Sequence, residues 1–332
     1  MKPTKIIDDS LRKFVGDKTF FNVSDYDYIY KSICLAFDKT HTNHEEQAII
    51  ASAGRDPKWD ECFNFISMSI EVFQDHFKIR NNLFFLFHMD IYLPVVYKLN
   101  SRMLQVSREI LTLLRMGYSD AAYARWRTLY EIQLSICILY SHKNDKSIFL
   151  QYIEHSQYGY FVSEVEPLIK YGKFPIEENI IEYAFIYDNL RNKYKDNDLF
   201  FRNEFGWSFK FNAKKEALKI PEIIKKYHKA SYTMFYTKAC KYTHADSIGI
   251  MNPMSINHEE VDVDLTKPYN FFEPSILLLT SLFEIESILL SWFPDNASSI
   301  IFNLLSQRKA QILQTLYKLE ENDYELFTEG AE

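Results

Sequence analysis

The chain has 332 residues, of which 47% are hydrophobic and 25% are charged, and its net charge is -7 at pH 7. This balance excludes an intrinsically disordered chain, and the acidic net charge excludes a protein that coats nucleic acid over its whole surface. Because only 8 glycines and 10 prolines are present, turns are few and helices can run long.

Apolar residues recur at helical spacing along nearly the whole chain, which predicts an all-α, multi-helix bundle. Gly117 separates two long helices, and Ser119 or Asp120 is expected to cap the second of them. The predicted helices are 24–36, 59–79, 83–116 with a kink at Pro94, 119–140, 145–171, 177–195, 213–228, 229–245, 273–292 and 297–320. Segment 40–58 is predicted as a short helix and a loop, 196–212 as a structured loop, and 251–268 as an irregular loop with a strand-like stretch at 261–265.

The polarity of the chain falls near residue 80. We therefore expect a helical N-terminal extension (1–80), a helical core (81–295), and a C-terminal helix with an acidic tail (296–332). The most apolar stretch, 275–293, carries Glu284 and Glu286, which predicts a buried core helix rather than a membrane span.

The chemistry of the N-terminus and of the cysteines predicts a cytoplasmic protein. Residues 1–18 carry many charges and lack the apolar run of a signal peptide. The four cysteines show no CxxC spacing, which argues against zinc and disulfide frameworks and favours reduced thiols.

Positive charge is concentrated in residues 191–241, which contain 13 Lys and Arg against 5 Asp and Glu, so the rest of the chain carries -15. Two interpretations stay open. One is a phosphate-tracking surface with aromatic stacking platforms, and the other is a solvated lysine-rich helix beside an aromatic loop core. The aromatic residues of this segment are Tyr194, Phe200, Phe201, Phe205, Trp207, Phe209, Phe211 and Tyr227.

The predicted helix 119–140 is apolar nearly all round after Thr128, which marks it as central in the fold. Its polar residues Asp120, Arg127, Glu131 and Ser135 fall close to one face, because residues three, four or seven apart align on a helix. A charged stripe on a buried helix costs energy unless its members are paired or face a cleft. The stripe therefore predicts either an Arg127–Glu131 ion pair that braces the bundle or a functional cleft.

A second polar stretch runs from Tyr236 to His244. Cys240 and His244 share a helix face, with Lys241 beside them. His244 lies near the expected helix C-terminus, where the helix dipole favours imidazolium, and Asp246 follows it. Such a histidine can act as an acid or base near neutral pH, or it can hydrogen-bond to the bundle or cap the last carbonyls.

These two stretches together resemble a known family. Arg127-Thr-Leu-Tyr-Glu131, preceded by Met116-Gly117-Tyr118, resembles the RxLxE element of the bacterial domain-of-unknown-function 5677 family. That family carries a downstream YxxxSxxxH stretch, whose positions are occupied here by Tyr236, Cys240 and His244, with cysteine in place of serine. The resemblance covers about residues 97–292. The family's helical layout is similar to that of HEPN proteins, which implies a HEPN-like core.

Many HEPN proteins are metal-independent ribonucleases in toxin and antiviral systems, so the resemblance implies RNA cleavage. His244 would then move the proton, Arg127 would stabilise phosphate charge, and Glu131 would orient Arg127. Lys238 and Lys241 would attract the phosphates, with Asp120, Tyr236, Cys240 and Asp246 in support. The resemblance also implies a homodimer and a partner protein from the same system, and it requires no cofactor or metal. The HEPN motif R-x(4–6)-H is not met, because Lys238 stands where its arginine would precede His244.

Two other functions remain as alternatives. One is a non-enzymatic sensor or adaptor module in which Arg127, Glu131 and His244 form a buried polar network. The other is a metal-dependent hydrolase using Glu131, His244 and Asp246, which ranks last because no HExxH or clustered histidine spacing is present. Glycine-rich phosphate loops and a GxSxG elbow are also absent from the sequence.

Overall fold

The computed structural model of the chain describes residues 56–85, 92–171, 178–201, 204–211, 219–243, 271–294 and 296–329. Within these ranges the chain is almost entirely helical and no strand is present, which confirms the all-α prediction. The predicted helix 24–36, most of segment 40–58 and the strand-like stretch 261–265 lie outside the described residues.

Ten α-helices are found in the described part of the chain. They are α1 (Pro57–Phe85), α2 (Tyr92–Arg115), α3 (Ser119–Ser141), α4 (Lys146–Tyr160), α5 (Glu166–Tyr171), α6 (Glu178–Lys193), α7 (Ile220–Tyr227), α8 (Tyr232–Thr243), α9 (Phe272–Trp292) and α10 (Asn296–Glu329). A π-helical segment, Phe161–Val165, joins α4 to α5, and two short 3₁₀ helices occupy Asp198–Phe201 and Gly206–Phe211. The described residues of the loop predicted at 196–212 are therefore structured, as expected.

The chain forms two compact units, each assembled from separate stretches. The first unit contains Met1–Phe87, Ser101–Tyr130 and Tyr236–Glu332, and the second contains His88–Asn100 and Glu131–Phe235. The predicted division at residues 80 and 295 follows chain order instead, and it remains a prediction.

In the first unit, α1, α9 and α10 pack against one another. An apolar stripe on α1, formed by Phe63, Ile66, Ile70 and Phe73, is fully buried. Its i, i+3, i+7 and i+10 spacing places these residues on one face of the helix. Phe73 meets the Phe283 ring of α9 edge-on at 5.2 Å between centroids. Each such side chain stabilises the fold by about 1.5–3 kcal/mol through burial.

Helix α9 is the most apolar helix of the described chain. By length and composition it could cross a membrane, but 61% of its most apolar window is buried inside the protein. Its Glu286 is buried with 1% of the side chain exposed, and one carboxylate oxygen lies 3.7 Å from Nδ1 of buried His76 on α1. This burial is what a core helix shows, as the two glutamates in this stretch predicted.

The turn between α2 and α3 follows from Gly117. Gly117 adopts a φ of 86°, which a residue without Cβ reaches at little cost. The Tyr118 N–H donates to the Leu113 carbonyl at 2.8 Å and the Gly117 N–H donates to that of Leu114 at 3.1 Å, so both bonds of a Schellman motif are present. At the other end of α2, Pro94 lies in the first turn, where its missing N–H costs no helical hydrogen bond.

In the second unit, aromatic rings of the basic segment 191–241 form the core. Tyr194 stacks on Phe200 at 3.9 Å between centroids, and Trp207 meets Tyr152 edge-on at 4.9 Å. Tyr194, Phe200 and Trp207 are buried, as is Phe205. Of the two interpretations of this segment, the aromatic loop core is therefore confirmed for these four rings, which are too buried to stack on bases.

Two local features fix the course of α4 and the chain after it. The Asp145 side chain accepts a hydrogen bond from the Ser147 N–H at 2.9 Å and caps α4, where the sequence predicted a helix start. The Glu166 N–H donates to the Phe161 carbonyl, five residues earlier, which is the π-helical pattern. Phe161 and Val165 are buried, and the Phe161 ring stacks on Tyr187 of α6 at 4.1 Å.

Candidate functional site

Within the first unit, side chains of α3 pair with side chains of α8 in antiparallel order. Tyr123 on α3 lies beside Tyr242 on α8, with ring centroids 5.6 Å apart, and beside Lys238, whose Nζ is 5.4 Å from the Tyr123 ring centre. Further along α3, Tyr130 lies beside Tyr236, with centroids 6.1 Å apart. Residue numbers therefore rise along α3 as they fall along α8.

Arg127 and Tyr236 are in direct contact. Arg127 Nε donates to the Tyr236 hydroxyl oxygen at 3.1 Å, and the guanidinium carbon lies 5.5 Å from the centre of the Tyr236 ring. Tyr236 is buried, with 5% exposed, while Arg127 is half-buried. The ring and the hydroxyl together hold the guanidinium in one orientation, since a cation is attracted to an aromatic face as well as to an oxygen.

This contact joins the two motifs singled out in the sequence. Arg127 comes from the RxLxE element and Tyr236 from the YxxxCxxxH stretch, 109 residues apart. The neighbouring arginine, Arg125, points elsewhere: its Nη2 lies 2.5 Å from a carboxylate oxygen of Glu109 on α2.

Glu273 is a member of this site that the sequence did not reveal. It lies in the first turn of α9, and its carboxylate forms a salt bridge with the Lys238 ammonium. Lys238 and Glu273 keep 41% and 24% of their side chains exposed, so the pair lies at the protein surface. A predicted phosphate-binding lysine is thus already paired with a carboxylate.

The carboxylates of the site raise the pKa values of Tyr123 and Tyr242. Burial, together with the nearby carboxylates of Asp120 and Glu273, raises the pKa of Tyr242 to about 12. Burial raises the pKa of Tyr123 well above its usual range, and the Glu273 carboxylate acts in the same direction. Both phenols therefore remain protonated at neutral pH and serve as hydrogen-bonding groups rather than as bases.

The remaining predicted residues have the following places. Asp120 lies in the first turn of α3, and its carboxylate contributes to the raised pKa of Tyr242. Cys240 and Lys241 are half-buried on α8. Glu131 is half-buried on α3, one turn after Arg127, within the stretch that belongs to the second unit. His244 and Asp246 lie outside the described residues, and His244 directly follows Thr243, the last residue of α8.

The antiparallel order sets a distance along α8. Arg127 is level with Tyr236, and seven residues separate Tyr236 from Thr243, which is about 10 Å at 1.5 Å per residue. Asp120 and Tyr123 are α3 residues that lie near Tyr242, at the end of α8 from which the chain continues to His244.

Among the described residues, no group of three His, Cys, Asp or Glu side chains is placed so that it could hold a metal ion.

Comparison with known proteins gives one match. A family model described as "Family of unknown function (DUF5677)" matches residues 94–262, just over half of the chain. The matched span contains both Arg127 and Tyr236, and it extends past His244. No curated protein and no solved structure matches the chain.

Proposed function

The chain belongs to the DUF5677 family of unknown function, and we propose that it is a metal-independent, HEPN-like ribonuclease of a bacterial toxin or antiviral defence system. The observation that supports this proposal is the Arg127–Tyr236 contact, which brings the arginine of one motif onto the helix that leads to the histidine of the other. We further propose that the protein is cytoplasmic, acts as a homodimer and answers to a partner protein of the same system.

In this proposal His244 takes a proton from a ribose 2′-hydroxyl or gives one to the leaving oxygen, as a histidine can near neutral pH. Arg127, oriented by Tyr236, holds a phosphate through its planar fork of donors. Arg127 is level with Tyr236, about 10 Å before the end of α8. We therefore assign Arg127 to a phosphate near the scissile one rather than to the scissile phosphate itself. Lys241 lies closer to His244 in the sequence.

The test is cleavage of total RNA and tRNA with a chelator present. Loss of a single acid–base group lowers a rate by about 10²–10⁴-fold, so His244→Ala should nearly abolish cleavage that the wild type performs. Arg127→Lys, which keeps the charge but loses the fork, should lower the rate, whereas the matched Arg125→Lys should not. An unchanged rate in folded His244→Ala protein would exclude the ribonuclease proposal.

One observation favours a second candidate, a non-enzymatic sensor or adaptor module. Glu273 neutralises Lys238, and Tyr236 is almost fully buried, so part of the predicted site contributes to packing. In such a module His244→Ala and Arg127→Lys would lower the melting temperature and weaken partner binding, with no cleavage by any form of the protein. Absence of cleavage by folded wild-type protein, together with these two effects, would select this candidate.

A further inference from the structure

The second unit contains a cluster of titratable side chains that the proposed reaction does not use. His142, just after α3, places Nε2 3.2 Å from the hydroxyl oxygen of Tyr227, the last residue of α7. The imidazole also packs on the Phe211 ring, with centroids 3.9 Å apart and planes 30° from parallel. Three elements therefore meet at His142: the end of α3, the second 3₁₀ helix and α7.

Two lysines join this cluster. The Lys226 ammonium donates to the Phe211 carbonyl and lies 5.0 Å from the centre of the Tyr227 ring. A lysine ammonium has three donors, so this contact leaves two others. Lys210 directly precedes Phe211. Hydrogen bonds from Ser147 lower the pKa of the Asp145 carboxyl, and the Lys210 charge, like that of His142, lowers it further. The Lys210 ammonium donates at 2.7 Å to the side-chain oxygen of buried Gln151, whose amide nitrogen donates to the Trp207 carbonyl.

The charges of the cluster act on His142 and are open to solvent. Lys210 and Lys226 are exposed and His142 is half-buried. Burial lowers the pKa of His142, the Lys226 charge lowers it further, and the Asp145 carboxylate opposes them. His142 is therefore neutral at pH 7. With neutral His142 and protonated Tyr227, the two ammoniums outweigh the single carboxylate of Asp145.

We propose that His142, Tyr227, Lys210 and Lys226 form a binding site for a phosphate group, and that His142 takes up a proton when the phosphate binds. The two ammoniums donate to the phosphate oxygens, and protonated imidazole donates through Nε2 to the Tyr227 oxygen, which leaves the phenol O–H to donate to the phosphate. A phosphodiester presents two charged oxygens, and inorganic phosphate presents more, so either can use these donors. The negative charge of the arriving phosphate also offsets the Lys226 charge that disfavours imidazolium.

RNA backbone is the source of phosphate that the surroundings favour, and this part of the inference rests on the proposed function. Three of the four residues of the site, Lys210, Lys226 and Tyr227, belong to the basic segment 191–241. Lys225 and Lys229, their neighbours in the sequence, add exposed positive charge. The aromatic rings of this segment are largely interior, so the exposed lysines, rather than stacking platforms, would follow the backbone.

The first experiment uses inorganic phosphate and follows the imidazole signals of the full chain by ¹⁵N NMR as the pH is varied. In free protein the pKa of His142 should lie below 6.5, and saturating phosphate should raise it. His228 directly follows Tyr227, and its Nε2 lies 3.2 Å from the amide nitrogen of Gln133 instead of in the cluster. It is the control histidine, and phosphate should change its signals less. A His142 titration that phosphate leaves unchanged would overturn the site, as would equal shifts of both histidines.

The second experiment measures binding of a labelled single-stranded RNA by fluorescence anisotropy in wild type, Lys226→Gln and Lys225→Gln. The two lysines are adjacent, equally charged and exposed, but only Lys226 contacts the cluster. Lys226→Gln should weaken binding several-fold and reduce the slope of log K against log salt by about 0.7, the value for one phosphate on a single strand. Lys225→Gln should change binding much less, and an equal loss in both variants would overturn the assignment to RNA.

The outcomes separate this inference from the proposed enzyme. If RNA binding depends on Lys226 but the protein does not cleave RNA, the phosphate site is supported and only the ribonuclease proposal is excluded. A His142 shift with inorganic phosphate but no effect of Lys226→Gln on RNA binding would keep the phosphate site and exclude RNA as its source. His142→Gln should remove the gain in RNA affinity between about pH 8 and pH 6, whereas His228→Gln should retain it, and the reverse result would contradict the proton uptake.

Discussion

The Arg127–Tyr236 hydrogen bond can be measured by removing a single oxygen atom. Tyr236→Phe deletes the hydroxyl that accepts from Arg127 Nε but keeps the buried ring and its 5.5 Å contact with the guanidinium. A hydrogen bond to a charged group contributes about 1.5–3 kcal/mol. Because Arg127 is half-buried and water can replace part of the bond, we expect a loss at the lower end, about 1.5 kcal/mol. At 2–4 °C per kcal/mol, the melting temperature should fall by about 3–6 °C.

Urea denaturation of wild type, Tyr236→Phe, Arg127→Met and the double variant gives the coupling directly as a double-mutant cycle. The expected coupling energy is about 1.5 kcal/mol, because neither variant can keep the bond. Tyr171→Phe, which removes the same atom from a ring that is 67% exposed, should change stability by less than about 0.5 kcal/mol. Additivity of the two single variants within about 0.3 kcal/mol would refute the reasoning, since the two motifs would then meet by packing alone.

Three further predictions concern the rest of the described fold. Gly206→Ala should lower the free energy of unfolding by about 2 kcal/mol, because the new Cβ would strike the Phe200 carbonyl and lie 2.7 Å from that of Leu199. Gly159→Ala, at a helical position where a new Cβ would meet nothing within 4 Å, should raise the free energy of unfolding by about 0.5–1 kcal/mol. Thermal denaturation measures both variants. A similar loss of stability in each would contradict the close approach of the Phe200 and Leu199 carbonyls to Gly206. Ser281→Ala should lower the free energy of unfolding in urea by about 1 kcal/mol, because the buried Trp126 indole N–H donates to this hydroxyl at 3.1 Å. An unchanged urea midpoint would argue against that hydrogen bond. Iodoacetamide should label half-buried Cys240 of the native protein well before Cys62, since burial raises the pKa of the Cys62 thiol to about 12. Peptide mapping measures the two labelling rates, and equal rates would contradict this prediction.

The local features of the fold were predictable from sequence, because each depends on residues close together in the chain. The stripe of α1, from Phe63 to Phe73, follows from helical periodicity, and the turn at Gly117 follows from the freedom of glycine at positive φ. The Asp145 cap follows from the affinity of a carboxylate for free N–H groups at a helix start.

The candidate site was predictable only in part, since its members come from distant stretches. Arg127 and Tyr236 were singled out together by a family resemblance, and they are in contact. Glu273, 35 residues from its partner Lys238, was missed because no local pattern specifies which helix end a lysine will meet. The His142–Tyr227 pair was missed for the same reason, because the two residues lie 85 positions apart in the sequence. Each lies at or just after the end of its helix, where no local pattern specifies a partner.

The π-helical segment Phe161–Val165 has a consequence for how the gene sequence can vary. A bond that spans five residues instead of four places one more residue in the turn, so that loss of one codon there could restore a regular helix. Because the wide turn already absorbs the extra residue, such a deletion would leave the following residues of α5 on their present faces. Exposed Ile169 would stay exposed. A relative that lacks one residue at Ser163 or Glu164 should therefore keep the same apolar pattern downstream once the gap is placed there.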